Sequence, residues 1–338
     1  MKTGAALATH RIHGRQRELQ GQIARIETVG ENCRMTKKDQ LTKLLRRSLQ
    51  FKLRSLLLIL AILCVWLGWY SVRVQQQREA VDWVLKNGGT VRYDYEYQGQ
   101  KFIPDSQPPV PECLLGIFGA DYFSAVTWVE FNNNSKQLSD VLLLGGLTKV
   151  EHLDLSYTQV SDLAPLASLA NLKELRLSCT QVVDVAPLTN LTNLEKLWIC
   201  NTQVNDLTPL KGLIDLKILL LENTQVNDVI PLAGLTNLDV LMIADTQISD
   251  LAPLAGLANL TCLTLHDTQV SDVAPLAGLT NLRSLILHNT QVNDVAPLAG
   301  LANLKEVWLA NTQVSGEDIE KLKQALPNCS VDSVSDWL

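Results

Sequence analysis

The sequence has few residues of the kinds that cross-link a fold or carry out catalysis. Seven cysteines in 338 residues are too few for a disulfide scaffold, and none of them forms a C-x-x-C pair. This excludes a zinc knuckle and a thioredoxin-like redox motif. There are only five histidines, and no G-x-x-x-x-G-K-[ST], G-x-S-x-G or H-E-x-x-H motif occurs. We therefore expect no enzymatic activity, no cofactor and no metal site.

Acidic and basic residues are separated along the chain. The net charge is −6, but residues 1–54 carry 13 Lys and Arg against 4 acids (+9), and the remainder carries 16 against 31 (−15). A basic head and an acidic body are typical of segments that lie in different surroundings. The acidic body also argues against nucleic-acid binding.

A single uncharged apolar run divides these two parts. Residues 55–72 read SLLLILAILCVWLGWYSV, and eighteen helical residues cover about 27 Å of a hydrocarbon core of ~30 Å. Seven Lys and Arg between residues 37 and 54 are opposed only by Asp39. The positive-inside rule then places the N-terminus in the cytoplasm and the chain after residue 72 outside it, across the inner membrane. No A-x-A-like cleavage site follows, which favours an uncleaved single-pass anchor over a signal peptide.

The composition divides the chain into six predicted segments. Met35 opens the basic segment and is an alternative start, in which case residues 1–34 are not translated. The segments are a basic cytoplasmic tail (1–54), a transmembrane helix (55–72), a juxtamembrane helix, hairpin and Pro-rich linker (73–110), an N-terminal cap (111–125), repeats (126–314) and a C-terminal cap (315–338).

A repeat of 22 residues decides the predicted fold. One column of threonines recurs without a slip, at Thr158, Thr180, Thr202, Thr224, Thr246, Thr268, Thr290 and Thr312. With Leu172 as position 1 of a unit, apolar residues fall at positions 1, 4, 6, 11, 14, 17 and 20. Alternation over positions 3 to 7 predicts a short strand, with positions 4 and 6 pointing into the core. The period and the L-x-x-L-x-L pattern are typical of leucine-rich repeats.

Two further columns have predicted structural roles. The Thr hydroxyls at position 9 are expected to satisfy backbone groups inside the coil, as a structural ladder. Asp at position 13 precedes Pro at position 16 in seven units, which predicts a capped, tight turn on the convex side. No D-x-D-x-D-G loop accompanies these carboxylates, so calcium binding is disfavoured.

The 22-residue unit resembles the internalin-type class of leucine-rich repeats over residues 126–331. The apolar segment with the following GGTVRYDYEY resembles a bacterial group of single-pass, membrane-anchored leucine-rich-repeat proteins. The resemblance implies an α/β solenoid, a horseshoe with short parallel strands on its concave face and a cap at each end. It also implies that the concave face binds a protein partner.

Position 5 must face the concave side if positions 4 and 6 fill the core. This column starts charged and then turns apolar, reading Asp154, Arg176, Trp198, Leu220, Met242, Thr264, Ile286 and Trp308. Exposed apolar patches usually mark contact sites. The predicted partner-binding residues are Trp198, Ile218, Leu220, Val240, Met242, Ile286 and Trp308, and the partner is a protein or a cell-envelope polymer. A structural envelope spacer without a ligand and a cytoplasm-facing regulatory scaffold are the alternatives.

Two side-chain pairs on neighbouring units require a separate interpretation. His266 and His288 share position 7 and have Asp245 and Asp267 nearby. Solvated surface residues are the favoured interpretation, and a shallow metal or pH-sensitive site is the alternative. Cys179 and Cys200 lie diagonally across adjacent units, so a disulfide between them is left open.

Overall fold

A computed structural model describes residues 20–22, 24, 25, 42, 55–98, 101–103, 106–131 and 135–333. The chain forms two compact units, residues 1–71 and 72–338. Most of the predicted cytoplasmic tail and the last five residues lie outside the described part.

Helix α1 runs from Ser55 to Lys86 and contains the apolar run. It is long and apolar enough to cross a membrane, and among the described residues no part of its apolar stretch is buried. Large apolar side chains such as Leu58, Ile62 and Trp69 are more than half exposed.

Within the described residues, the second unit is built on one sheet of eleven strands. The sheet comprises β1 (Gly89–Tyr93), β4 (Val126–Phe131), β5 (His152–Asp154), β6 (Glu174–Arg176), β7 (Lys196–Trp198), β8 (Ile218–Leu220), β9 (Val240–Met242), β10 (Cys262–Thr264), β11 (Ser284–Ile286), β12 (Glu306–Trp308) and β13 (Ser330–Asp332). Strands β4 to β13 follow one another in parallel, and β1 adds to β4 in the antiparallel direction. Two further strands, β2 (Tyr97–Gln98) and β3 (Lys101–Phe102), form a separate small hairpin.

Each repeat returns from one strand to the next through a short 3-10 turn. In all of these segments but the first, the Pro of the repeat lies in the first turn, where its missing N–H is not needed. The segments are Leu142–Gly146, Ala164–Ser168, Ala186–Leu188, Thr208–Leu210, Ile230–Leu232, Ala252–Leu254, Ala274–Gly278 and Ala296–Gly300. The predicted parallel solenoid is therefore confirmed.

The apolar columns of the repeat form one continuous core. Leu175 and Leu177, at positions 4 and 6, have no exposed surface, and the same holds for Leu219 and Leu221 two units later. Full burial of one such side chain stabilises the fold by about 1.5–3 kcal/mol. Because every unit repeats these positions, neighbouring units share one core and depend on each other for it.

The first strand of the array is covered by the end of α1 and by β1. Val74, Ala80, Val81 and Val84 are buried at helical spacing, and the last three belong to the same core cluster as the repeats. Sequence reasoning instead placed the N-terminal cap at residues 111–125. Helix α2 (Glu112–Phe118) in that range contains no buried residue. The apolar run upstream obscured the buried stripe on α1, because both lie on one helix.

The C-terminal end of the array is closed by helix α3 (Gly316–Ala325) and strand β13. Ser315 is the N-cap, and its hydroxyl oxygen accepts a hydrogen bond from the backbone N–H of Asp318. Leu322 and Leu326 are buried against the last repeat. A polar-faced helix of this kind covers an apolar edge that would otherwise be bare.

Candidate functional site: the concave face

The parallel register aligns equivalent residues of successive repeats into columns. Trp198 lies opposite Leu220, Leu220 opposite Met242, and Ile286 opposite Trp308. Position 4, which lies between positions 3 and 5 on each strand, is fully buried throughout these strands. The side chains at positions 3 and 5 therefore cover the outer side of the sheet, and most of them are half-buried.

In the C-terminal half of this face, the position-5 column is mainly apolar, whereas position 3 also holds Ser284 and Glu306. Ile218 and Val240 lie at position 3 directly beside Leu220 and Met242, so β8 and β9 present four adjacent apolar side chains. Thr264 interrupts the position-5 column, but it is only 3% exposed. With strands about 4.8 Å apart, the row from β7 to β12 extends over roughly 24 Å. The predicted partner-binding residues therefore lie side by side, and their role in binding stays a prediction.

The N-terminal half carries a charged cluster centred on Glu174. This residue is only 6% exposed. Its Oε1 lies 2.7 Å from the Arg176 guanidinium, and its Oε2 lies 3.4 Å from both the Lys196 ammonium and His152 Nδ1. Burial raises the pKa of Glu174, but the proximity of His152 Nδ1 and the charges of Arg176 and Lys196 outweigh it, and the pKa falls to about 2. Glu174 is therefore ionised at neutral pH and organises the surrounding cations.

Stacked rings and cations frame this charged cluster. The ring of Trp128 stacks on that of His152 at 4.5 Å, and the guanidinium of Arg92 lies 5.2 Å from the Trp128 ring. At the opposite side, the Arg176 guanidinium lies 4.6 Å over the ring of Trp198. Such cation–π contacts contribute about 0.5–1 kcal/mol at exposed sites. Trp198 therefore joins the charged half of the face to the apolar half.

The charged half contains a cleft of about 660 Å³. Its lining holds both signs of charge, so the cleft has no strong charge of one sign. The carboxylates are Asp94, Glu151, Glu174 and Glu195, and the basic side chains are Lys173, Arg176 and Lys196.

The Thr column lies inside the coil and bonds within its own unit. Each hydroxyl donates to the carbonyl three residues earlier, at 2.6–2.8 Å. Seven of the eight are at most 5% exposed, and Thr312 is half-buried. In seven repeats, the Asp of position 13 accepts a hydrogen bond from the N–H two residues later, at 2.7–2.8 Å. These carboxylates thus hold the turn.

Sequence reasoning missed two structural columns. Position 8 has a positive φ of 52–63° in the eight repeats for which the structure describes it, and Asn or Asp occupies it in six of these, the exceptions being Tyr157 and Cys179. Asn and Asp tolerate this left-handed conformation best among residues with a side chain. At position 22, six asparagines donate to the carbonyl 23 residues earlier, at 2.7–2.9 Å. The recurrence of Asn at both positions was the available signal.

The two pairs that sequence reasoning left open differ in geometry. The rings of His266 and His288 are stacked at 4.4 Å and nearly parallel. Cys179 and Cys200 are both free thiols, and no bond joins them. Burial raises the pKa of the Cys200 thiol, which keeps it protonated and unreactive at neutral pH.

Comparisons with known proteins agree with this geometry. A family model described as Leucine Rich repeats (2 copies) matches residues 148–190, 170–212, 236–278 and 280–324. An internalin (inlF) of Listeria monocytogenes is 29% identical, with 61% of this chain and 67% of that chain covered and a TM-score of 0.56. Internalin C2 of the same organism is 35% identical over 63% of this chain and 88% of that chain, with a TM-score of 0.54. Among curated proteins, no sequence matches.

A leucine-rich-repeat protein of Leptospira interrogans shares the fold alone, with 24% identity, a TM-score of 0.57 and coverage of 60% of this chain and 54% of that one. The chain belongs to the leucine-rich-repeat family. Its repeats are of the internalin type, and repeats of this type indicate that the chain is a protein-interaction module. The fold is typically a binding scaffold without enzymatic activity.

Proposed function

We propose that this protein is a membrane-anchored binding module whose concave face holds a protein partner outside the cytoplasm. The observation that carries the proposal is the aligned apolar row from Trp198 to Trp308, beside a cleft lined by paired charges. A partner with an apolar ridge and a mixed-charge end would complement both halves. Aromatic anchors such as Trp carry a large share of binding energy in protein interfaces.

The anchor in this proposal is the apolar part of α1. Its exposed leucines, isoleucines and tryptophans would be costly in water and favourable in a bilayer. The basic residues before Ser55 favour a cytoplasmic N-terminus. The repeats would then lie across the inner membrane, where a protein or an envelope polymer is the available partner.

The binding face can be tested by site-specific photo-cross-linking in intact cells. A photoreactive residue in place of Met242 should capture a discrete partner, because this side chain lies in the middle of the apolar row. The matched control replaces Ile230, which is 65% exposed but lies in a 3-10 turn instead of the sheet. Equal capture at both positions, or none at either, would contradict a specific concave site and favour the envelope spacer.

A second test uses substitutions in the full chain, purified in detergent and immobilised. Trp198→Ala and Ile286→Ala should each reduce capture of the cross-linked partner at least tenfold, while Ile230→Ala leaves it unchanged. The three variants should melt within a few degrees of the parent. If the concave variants lose most of their thermal stability, these side chains serve the core and not binding.

The compartment can be tested with reporters fused after Leu338. A reporter active only outside the cytoplasm should be active, and one active only in the cytoplasm should be silent. The reverse result would favour the cytoplasm-facing regulatory scaffold. It would leave the concave site itself unaffected, because the two experiments are independent.

A further inference from the structure

His266 and His288 form an unusual pair at the end of strands β10 and β11. Their rings are stacked with centroids 4.4 Å apart and an angle of 8° between the planes. His266 Nδ1 lies 3.0 Å from Asp267 Oδ2. One ligating atom from each of His266, Asp267 and His288 lies within 4.8 Å of the other two. Across the described part of the chain, this is the one place where three such groups converge.

We propose that His266, Asp267 and His288 bind one divalent transition-metal ion, such as Zn²⁺, Co²⁺ or Ni²⁺. Two imidazoles and a carboxylate are a donor set that these ions prefer. The ion would link two adjacent repeats, because His266 and Asp267 belong to one unit and His288 to the next. With three protein ligands, at least one coordination position stays open to water or to a group of the partner.

The distances are compatible with a site that closes on the ion. With bonds of about 2.0–2.2 Å, neighbouring ligand atoms of a tetrahedral site lie about 3.3–3.5 Å apart. The His266–Asp267 contact of 3.0 Å is close to this separation. From the 4.8 Å limit, His288 must approach by no more than about 1.5 Å. Its ring, which is nearly parallel to that of His266, must also turn so that the nitrogen lone pairs of both rings point at the ion, and a half-exposed side chain has room for this rotation.

The surroundings prepare the three groups for binding. The Asn289 amide donates to Asp267 Oδ1 at 2.9 Å and so orients the carboxylate, as an outer-shell partner does in metal sites. Position 7 is Ala in the repeats on either side, Ala244 and Ala310, which leaves lateral space around the rings.

The site can be tested by calorimetric titration of the full chain in detergent with Ni²⁺ or Zn²⁺. The protein is first treated with a chelator, and its thiols are alkylated because free cysteines would compete for the ion. One ion per chain should bind, and saturating metal should raise Tm. His288→Gln should weaken binding by about 100-fold and abolish the rise in Tm. The matched control His13→Gln removes a histidine that is not one of the three proposed ligands and should bind like the parent.

A second variant distinguishes loss of a metal ligand from misfolding of His288→Gln. Asp267→Asn suits the left-handed backbone at this position, since Asn occupies it in four other repeats. It should fold normally and lose at least about tenfold in affinity. Co²⁺ should give visible absorption bands in the parent, and these bands should be weaker in both variants. Unchanged affinity in the two variants, or no binding to the parent at millimolar metal, would overturn the proposal.

Discussion

An asparagine in place of Asp215 is predicted to stabilise the solenoid. At the same repeat position, six asparagines donate their side-chain N–H to the carbonyl 23 residues earlier, at 2.7–2.9 Å. Asp215 is the exception within this series, and its equivalent acceptor is the carbonyl of Thr192. An ionised carboxylate has no hydrogen to donate, so this bond cannot form.

The expected gain follows from the bond that the substitution would add. A neutral intramolecular hydrogen bond contributes about 0.5–1.5 kcal/mol net. Removing a negative charge that faces a carbonyl oxygen acts in the same direction. Because the position is exposed to water, we expect about 1 kcal/mol, or a rise in Tm of about 2–4 °C for a unit of this size.

Denaturant titration and thermal melting of the full chain in detergent would measure this gain. The mirror substitution Asn237→Asp, in the next repeat, removes the bond from Asn237 to the Ile214 carbonyl and should cost a similar amount. If Asp215→Asn is neutral or destabilising and Asn237→Asp costs nothing, the asparagine column does not contribute to stability. A gain at 215 with no loss at 237 would instead point to relief of charge repulsion.

Three further predictions rest on single side chains. Thr224→Val removes the hydroxyl that donates to the buried Leu221 carbonyl at 2.7 Å, so the free energy of unfolding in a denaturant titration should fall by about 1–3 kcal/mol. The control Thr236→Val changes an exposed threonine and should leave this free energy unchanged. Because the pKa of Glu174 is lowered from 4.5 to about 2, its ion pairs stabilise the fold fully above pH 4.5, and this stabilisation is lost as pH falls toward 2. The Tm of Glu174→Gln should therefore depend less on pH across this range than the Tm of the parent. Cys179→Asn should raise Tm, because Cys179 has a φ of 59° and Asn relieves left-handed strain of about 1–2 kcal/mol; an unchanged Tm would show that this strain is absent.

The period of the sequence predicted the sheet, because each structural role recurs at a fixed spacing. Alternation around Leu175 and Leu177 identified a strand with two core positions, and the structure has β6 there. The same spacing predicted which residues share the concave face, since parallel strands in register align equal positions. Trp198, Leu220 and Met242 are neighbours for this reason.

The parts that could not be predicted depend on contacts outside the repeat. The pairing of β1 with β4 joins residues about forty positions apart and has no periodic signal. The buried stripe of α1 continues directly from an apolar run, so its residues Val81 and Val84 could not be distinguished from it by composition. The stacking of Arg176 on Trp198 depends on side-chain rotamers, which the pattern of apolar residues does not fix.

The concave columns differ from the structural columns in one informative way. Each position of the repeat meets nearly the same backbone environment eight times, so a residue that the fold requires should recur. Thr at position 9 recurs in every repeat, and Asn or Asp at position 8 in most of them. Position 5 lies in the same sheet, yet it changes from Asp to Arg, Trp, Leu, Met, Thr, Ile and Trp. The fold does not require these differences, and side chains free to vary on a wet surface would be mostly polar. An apolar row that the fold does not need, next to a charged cleft, therefore supports the proposed binding face.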